Sequence, residues 1–97
     1  MKDFIPNTPV YVMPFSHNAI LLSLLLEQHG VTVVGFLDNN DALENKKYLS
    51  RQVLLPLTAY TVNANASVIV CEIRYFTENE EQLHEIGFSD ISRITDY

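Results

Sequence analysis

Apolar residues in this chain come in short unbroken runs, separated by breaks that carry proline, glycine or polar side chains, and this punctuation predicts the elements. Val10-Tyr11-Val12-Met13 is apolar at every position and stopped by Pro14. A β-branched and aromatic run without polar alternation is a strand covered on both faces. A polar turn follows, Phe15-Ser16-His17-Asn18, and then a helix is predicted from about His17 to His29. Ser16 suits its N-cap, and Gly30 suits a left-handed exit from its last turn. Val31 to Leu37 is a second apolar run, closed by Asp38-Asn39-Asn40. Strand, helix, glycine and strand make a βαβ unit, whose strands run parallel with a right-handed crossover.

The punctuation is weaker elsewhere. The start of the chain, with Pro6 and Pro9, reads as irregular, and Asp41 to Ser50 as a polar exposed loop. Gln52-Val53-Leu54 reads as a third strand, and Pro56 can open a short helix through about Val62. After a loop at 63–66, Ser67 to Ile73 is a fourth strand. Thr77-Glu78-Asn79-Glu80 fits a capping box, with Thr77 as N-cap, for a helix that stops at Gly87. Ile91 to Ile94 reads as a last edge strand. The alternation predicts an α/β fold over one domain, residues 1–97: a small Rossmann-like open parallel sheet in the order 3-2-1-4, a fifth strand beside the fourth, helices on both faces.

Composition narrows the function classes. The chain carries a net charge of −6, and its six Lys and Arg are scattered, which excludes a phosphate-backbone partner such as nucleic acid. Its single cysteine, Cys71, allows neither an intrachain disulfide nor a thiolate metal cluster, and within SVIVCEI it reads as a buried, inert thiol. No signal core and no membrane span are apparent, so a soluble cytoplasmic chain without a membrane partner is expected. His17, His29 and His84 lack metal-ligand spacing, and Ser16 lacks the flanking glycines of a nucleophile elbow. No metal, cofactor or catalytic set is expected, and the chain reads as a non-enzyme on its own.

In open sheets of this class a ligand binds beyond the carboxyl ends of the strands, where the strand order reverses. Three segments would meet there: Pro14 to Asn18, Asp38 with Asn39, and Glu72 to Tyr75. The first stands where G-x-G-x-x-G would hold a pyrophosphate, but reads Pro14-Phe15-Ser16-His17-Asn18-Ala19. Proline removes a backbone donor and Phe15 adds bulk, which disfavours a dinucleotide. The helix N-terminus can still face an anion, with Ser16, His17 and Asn18 adding donors; alternatively Ser16 and Asn18 only cap the helix and His17 is solvated. Asp38 is placed to accept from a ribose diol, or it simply favours the turn. Arg74 is placed to meet a phosphate, with Tyr75 or Phe76 stacking on a base or sugar; the alternative is a Glu72–Arg74 surface pair.

The first helix is unusually apolar. At about 100° per residue, the face centred on Leu22 and Leu25 packs on the sheet, with Ser23 and Glu27 opposite. Ile20, Leu24 and Gln28 then line the polar flank, as a contact for a second subunit or neighbouring domain, or under another part of the same chain.

With these segments laid out, the chain resembles the small Rossmann-like N-terminal domain of bacterial sugar acyltransferases of the left-handed β-helix class, and related polysaccharide-biosynthesis modules. There a strand of the type I-Y-I-x leads into G-A-x-G-H-G, a helix, a glycine and V-x-G-F-x-D-D/N. Here VYVM leads into PFSHNA, Gly30 follows the helix, and VTVVGFLDNN comes next; QVLLPL is similar to the family's P-V-L-x-P-L, and Gly87-Phe88 to its helix-to-edge-strand ending. The resemblance implies a nucleotide-sugar pocket between the loop after the first strand and Asp38. The family's glycine loop does not carry over, and Asn18 stands at its histidine position. With no hexapeptide-repeat domain in the chain, it implies binding without acyl transfer.

Two functions therefore stand as expectations. One is a non-catalytic binding module that takes a nucleotide, nucleotide-sugar or other anion weakly at the crevice. The other is a ligand-free interaction or dimerisation domain that uses the first helix.

Overall fold

A computed structural model of the chain describes residues 8–96. The start of the irregular segment, residues 1–7 with Pro6, lies outside them. Six strands, β1 (Val10–Met13), β2 (Val33–Leu37), β3 (Lys47–Tyr48), β4 (Arg51–Leu54), β5 (Ser67–Val70) and β6 (Asp90–Arg93), form one sheet in the order β3-β4-β2-β1-β5-β6. Three helices connect them: α1 (His17–Gln28), α2 (Pro56–Val62) and α3 (Phe76–Ile86). Every strand pairing is parallel except β3 with β4. The fold is thus α/β with a mostly parallel, mixed sheet.

The handedness of parallel crossovers settles which helix covers which face. The step from β1 to β2 moves one way across the sheet, whereas β4 to β5 and β5 to β6 move the other. Accordingly α1 packs on one face, where Ala19, Leu22 and Leu26 meet Val10, Val12, Phe36 and Ile69. On the other face Ala59 of α2 and Phe76 and Leu83 of α3 meet Tyr11, Met13, Val68 and Val70. Successive residues of β1 and β5 alternate between these two cores, so both strands are buried along their whole length. Gly35 in β2 lets this happen beside a bulky neighbour. A Cβ there would lie 2.8 Å from the Gln52 carbonyl and 3.2 Å from the Tyr11 ring. The Tyr11 hydroxyl, deep under α2, accepts from Asn63 Nδ2 at 2.9 Å.

Several expectations are corrected. The order 3-2-1-4 gains an antiparallel edge strand, β3, inside the segment expected to be loop, which also holds a 3-10 turn at Asp41–Leu43. The strand from Ser67 ends at Val70, three residues early, because Ile73, Arg74 and Tyr75 turn out into solvent. The capping box at Thr77 does not form: α3 starts two residues sooner, at Phe76, with Tyr75 as N-cap in the left-handed region (φ 66°) and no side-chain cap. Phe76 drops into the core at that point and draws the helix start with it. No helix among the described residues is long and apolar enough to cross a membrane.

Candidate functional site

The loop after β1 and the end of β2 come together as the parallel pairing requires, with Tyr11 opposite Gly35 and Val12 opposite Phe36. The Met13–Pro14 peptide is cis. Beyond it Phe15 folds inward over the α1 side of the sheet. Its ring meets Phe36 edge-on at 5.2 Å between centroids and Tyr48 of β3 at 4.8 Å. The bulk that the sequence placed near a phosphate position is therefore half-buried and packed.

The backbone amide of Phe15 is shared. It donates to the Leu37 carbonyl and to Asp38 Oδ2, both at 3.1 Å. The other Asp38 oxygen accepts from the Asn40 amide at 2.9 Å, so one carboxylate staples two loops. In a phosphate-binding loop such amides point at the anion; here the Phe15 amide is directed at a carboxylate, whose negative charge opposes a second anion beside it. Asn39 turns to the opposite face and exchanges amide hydrogen bonds with Gln82 of α3, at 2.9 and 2.6 Å.

Ser16 is the N-cap of α1, its Oγ accepting from the Ala19 amide at 3.1 Å, while His17 and Asn18 are exposed on the first turn. Cys71 follows β5 at the strand-order reversal: its amide donates to the Met13 carbonyl at 2.8 Å and its thiol to the Pro14 carbonyl at 3.6 Å. Burial pushes this thiol up to about 11, outweighing the hydrogen bond with Ser16 that favours the thiolate. It is half-buried rather than fully buried, and chemically quiet at neutral pH. Arg74 lies over the ring of its neighbour Tyr75 at 5.1 Å, and Arg93 over Phe76 at 4.1 Å.

Of the expected ligand residues, Phe15 and Asp38 are joined by a hydrogen bond, Ser16 caps α1, His17 and Asn18 are exposed on its first turn, and Asn39 and Arg74 engage other partners. Three participants were missed. Tyr48 sits in a stretch read as loop, Gln82 lies 43 residues from Asn39, and the Cys71 thiol was assigned to the core. Only Cys71 carried a signal, its position at the end of an apolar run beside the reversal. Among the described residues no group of three His, Cys, Asp or Glu could hold a metal ion.

The second candidate surface is α1. Its buried side is Ala19, Leu22, Ser23 and Leu26, so the expected phase is corrected: Leu25 faces outward and Ser23 inward. Ser23 is tolerated against the sheet because its hydroxyl donates to the Ile20 carbonyl at 2.7 Å. Leu21, Leu24 and Leu25 are 52%, 43% and 51% exposed, which leaves three leucines in water on one side of the helix. Of the expected contact residues, Leu24 and Gln28 are exposed, and Ile20 is partly buried against the core. Glu27 pairs with Arg51 of β4 on the flank of this face.

A scan against protein-family models and searches of curated proteins and of solved structures return no match to this chain.

Proposed function

We propose that this chain is a non-catalytic α/β binding module that acts through protein contact, with the outward face of α1 as its docking surface. The observation that carries this reading is the trio Leu21, Leu24 and Leu25, roughly half exposed on a helix whose opposite side already meets the sheet. Apolar side chains gathered on one exposed face mark interaction sites far more often than single ones do. The face holds no charged residue at its centre, as in the buried core of protein contacts. The test is Leu24→Glu or Leu25→Glu followed by sedimentation and partner binding. Association should be lost while the thermal midpoint of the dilute, unassociated chain stays unchanged, and association that survives both variants sinks the reading.

A second reading keeps the crevice, as the resemblance to nucleotide-sugar modules implies. The position of Asp38 beside the loop after β1 favours it, with the exposed first turn of α1 next to both. A ligand there has to displace Phe15 from Phe36 and Tyr48. A thermal-shift screen with nucleotide sugars, NAD and coenzyme A decides. A ligand at a hundredfold excess over its dissociation constant stabilises by about 2.7 kcal/mol, and Asp38→Ala should abolish that shift. A flat screen removes this reading.

A further inference from the structure

We infer that the occupant of the α1 face is a second copy of this chain, packed antiparallel across a two-fold axis at the helix midpoint. This deepens the docking reading above and rests on it. A two-fold contact requires a surface complementary to itself. The outward line of α1 is His17, Leu21, Leu24 and Gln28, in the order polar, apolar, apolar, polar. The helix midpoint falls between Leu22 and Ser23. Turned about that point, His17 faces the partner's Gln28 and Leu21 faces the partner's Leu24. Leu25 with its symmetry mate closes one side of the seam, and Ile20 with its mate closes the other. The pattern maps onto itself without setting a polar group against a leucine along its central line.

Charge permits the same occupant. Each copy carries −6, so two copies repel over most of their surfaces. From Pro14 to Gly30 the only charged residue is Glu27, and its carboxylate is paired with Arg51 at the flank. Two acidic chains can therefore meet across α1, whereas a charged partner finds no ion to pair with there. The exposed Leu57 and Val62 of α2 form no comparable stripe: five residues apart on a helix, they point about 140° from each other. A seam along a helix roughly 18 Å long is at the small end of protein contacts, so a dissociation constant in the micromolar range is expected.

Sedimentation velocity on the wild-type chain, from low micromolar to submillimolar concentration, reads the proposal directly. The mass should rise toward twice that of the chain. Leu21→Lys and Leu24→Glu should each stay monomeric, with the thermal midpoint that the wild type shows when diluted to a monomer. Mixing the two variants should restore a dimer, since the new opposite charges meet in one of its two Leu21–Leu24 contacts. A wild type that stays monomeric, a dimer that persists in both variants, or a mixture that does not recover overturns the proposal. A photo-crosslinker at Leu24 in the native cell separates the two levels. An adduct with the chain itself supports the second copy; an adduct with another protein alone overturns it but leaves the docking face standing; no adduct overturns both.

Discussion

Asp38 Oδ2 accepts the Phe15 amide at 3.1 Å and so ties the loop after β1 to the end of β2. The bond has two consequences. It fixes Phe15 over the sheet, and it directs that amide away from any ligand.

Asp38→Ala removes both loop contacts of the carboxylate, those with Phe15 and Asn40. Hydrogen bonds to a charged group contribute about 1.5–3 kcal/mol each when well formed. Here the Phe15 amide keeps the Leu37 carbonyl and the Asn40 amide is exposed, so a loss of about 1–2 kcal/mol is expected. Urea unfolding measures it. A variant as stable as the wild type would show that the staple holds nothing.

The phase of α1 makes a sharp contrast between neighbours. Leu26 is 2% exposed and Leu25 51%, although the two are adjacent in an almost uniformly apolar helix. Leu26→Ala should cost about 2–5 kcal/mol, and Leu25→Ala less than about 0.5 kcal/mol in the monomer. Chemical denaturation of both at low concentration checks the orientation, and the reverse ranking would mean that the helix is rotated.

Two glycines with positive φ should respond unequally to alanine. Gly30 (φ 81°) has open space around a Cβ, so Gly30→Ala meets only the left-handed penalty of about 1–2 kcal/mol. At Gly87 (φ 130°) a Cβ would lie 2.5 Å from the Tyr60 ring, which is wedged against Phe88. Gly87→Ala should cost about 2 kcal/mol or more beyond the Gly30 variant. Comparing their thermal midpoints is the measurement, and equal losses would count against the packing of α2 on the end of α3.

Cys71 predicts a pH dependence. Its thiol rises from 9.0 to about 11 on folding, chiefly because burial disfavours the thiolate. A group whose folded value is raised contributes stability that is fully present below the unfolded value and is lost as pH climbs to the folded one. That contribution should hold up to about pH 9 and fade toward pH 11. At pH 8 the folded chain should react with iodoacetamide roughly a hundredfold more slowly than the unfolded chain, in proportion to thiolate. Equal rates would place the thiol in open solvent.

The βαβ unit was legible because apolar runs with proline and glycine at their ends leave little choice between strand and helix. Pro56, Gly30 and Gly87 marked true boundaries for the same reason. What stayed hidden depends on contacts distant in sequence. The β3–β4 turn places Leu49 and Ser50 at φ 51° and 64°, without the glycine or asparagine that usually announces such a turn. It is held by Arg51, whose guanidinium donates to the carbonyls of Leu49 and Val33. The phase of α1 stayed ambiguous because leucines occupy both its sides, and only the hydroxyl of Ser23, satisfied within the helix, permits the inward placement. The contact of Asp38 with the loop after β1 follows from the parallel pairing, but the ring that packs on Phe15 comes from Tyr48, 33 positions further on and in a segment with no strand pattern.

The sheet also ends in a particular way at each side. One margin is β3, two residues long and antiparallel to its neighbour; the other is β6, which carries Asp90 and Arg93, and whose Arg93 amide donates to Asp96 Oδ2 at 2.8 Å. Short or charged margins do not template the addition of foreign strands. Crowding this chain should therefore bring molecules together through side-chain surfaces, and fibre growth by strand addition is resisted at both borders.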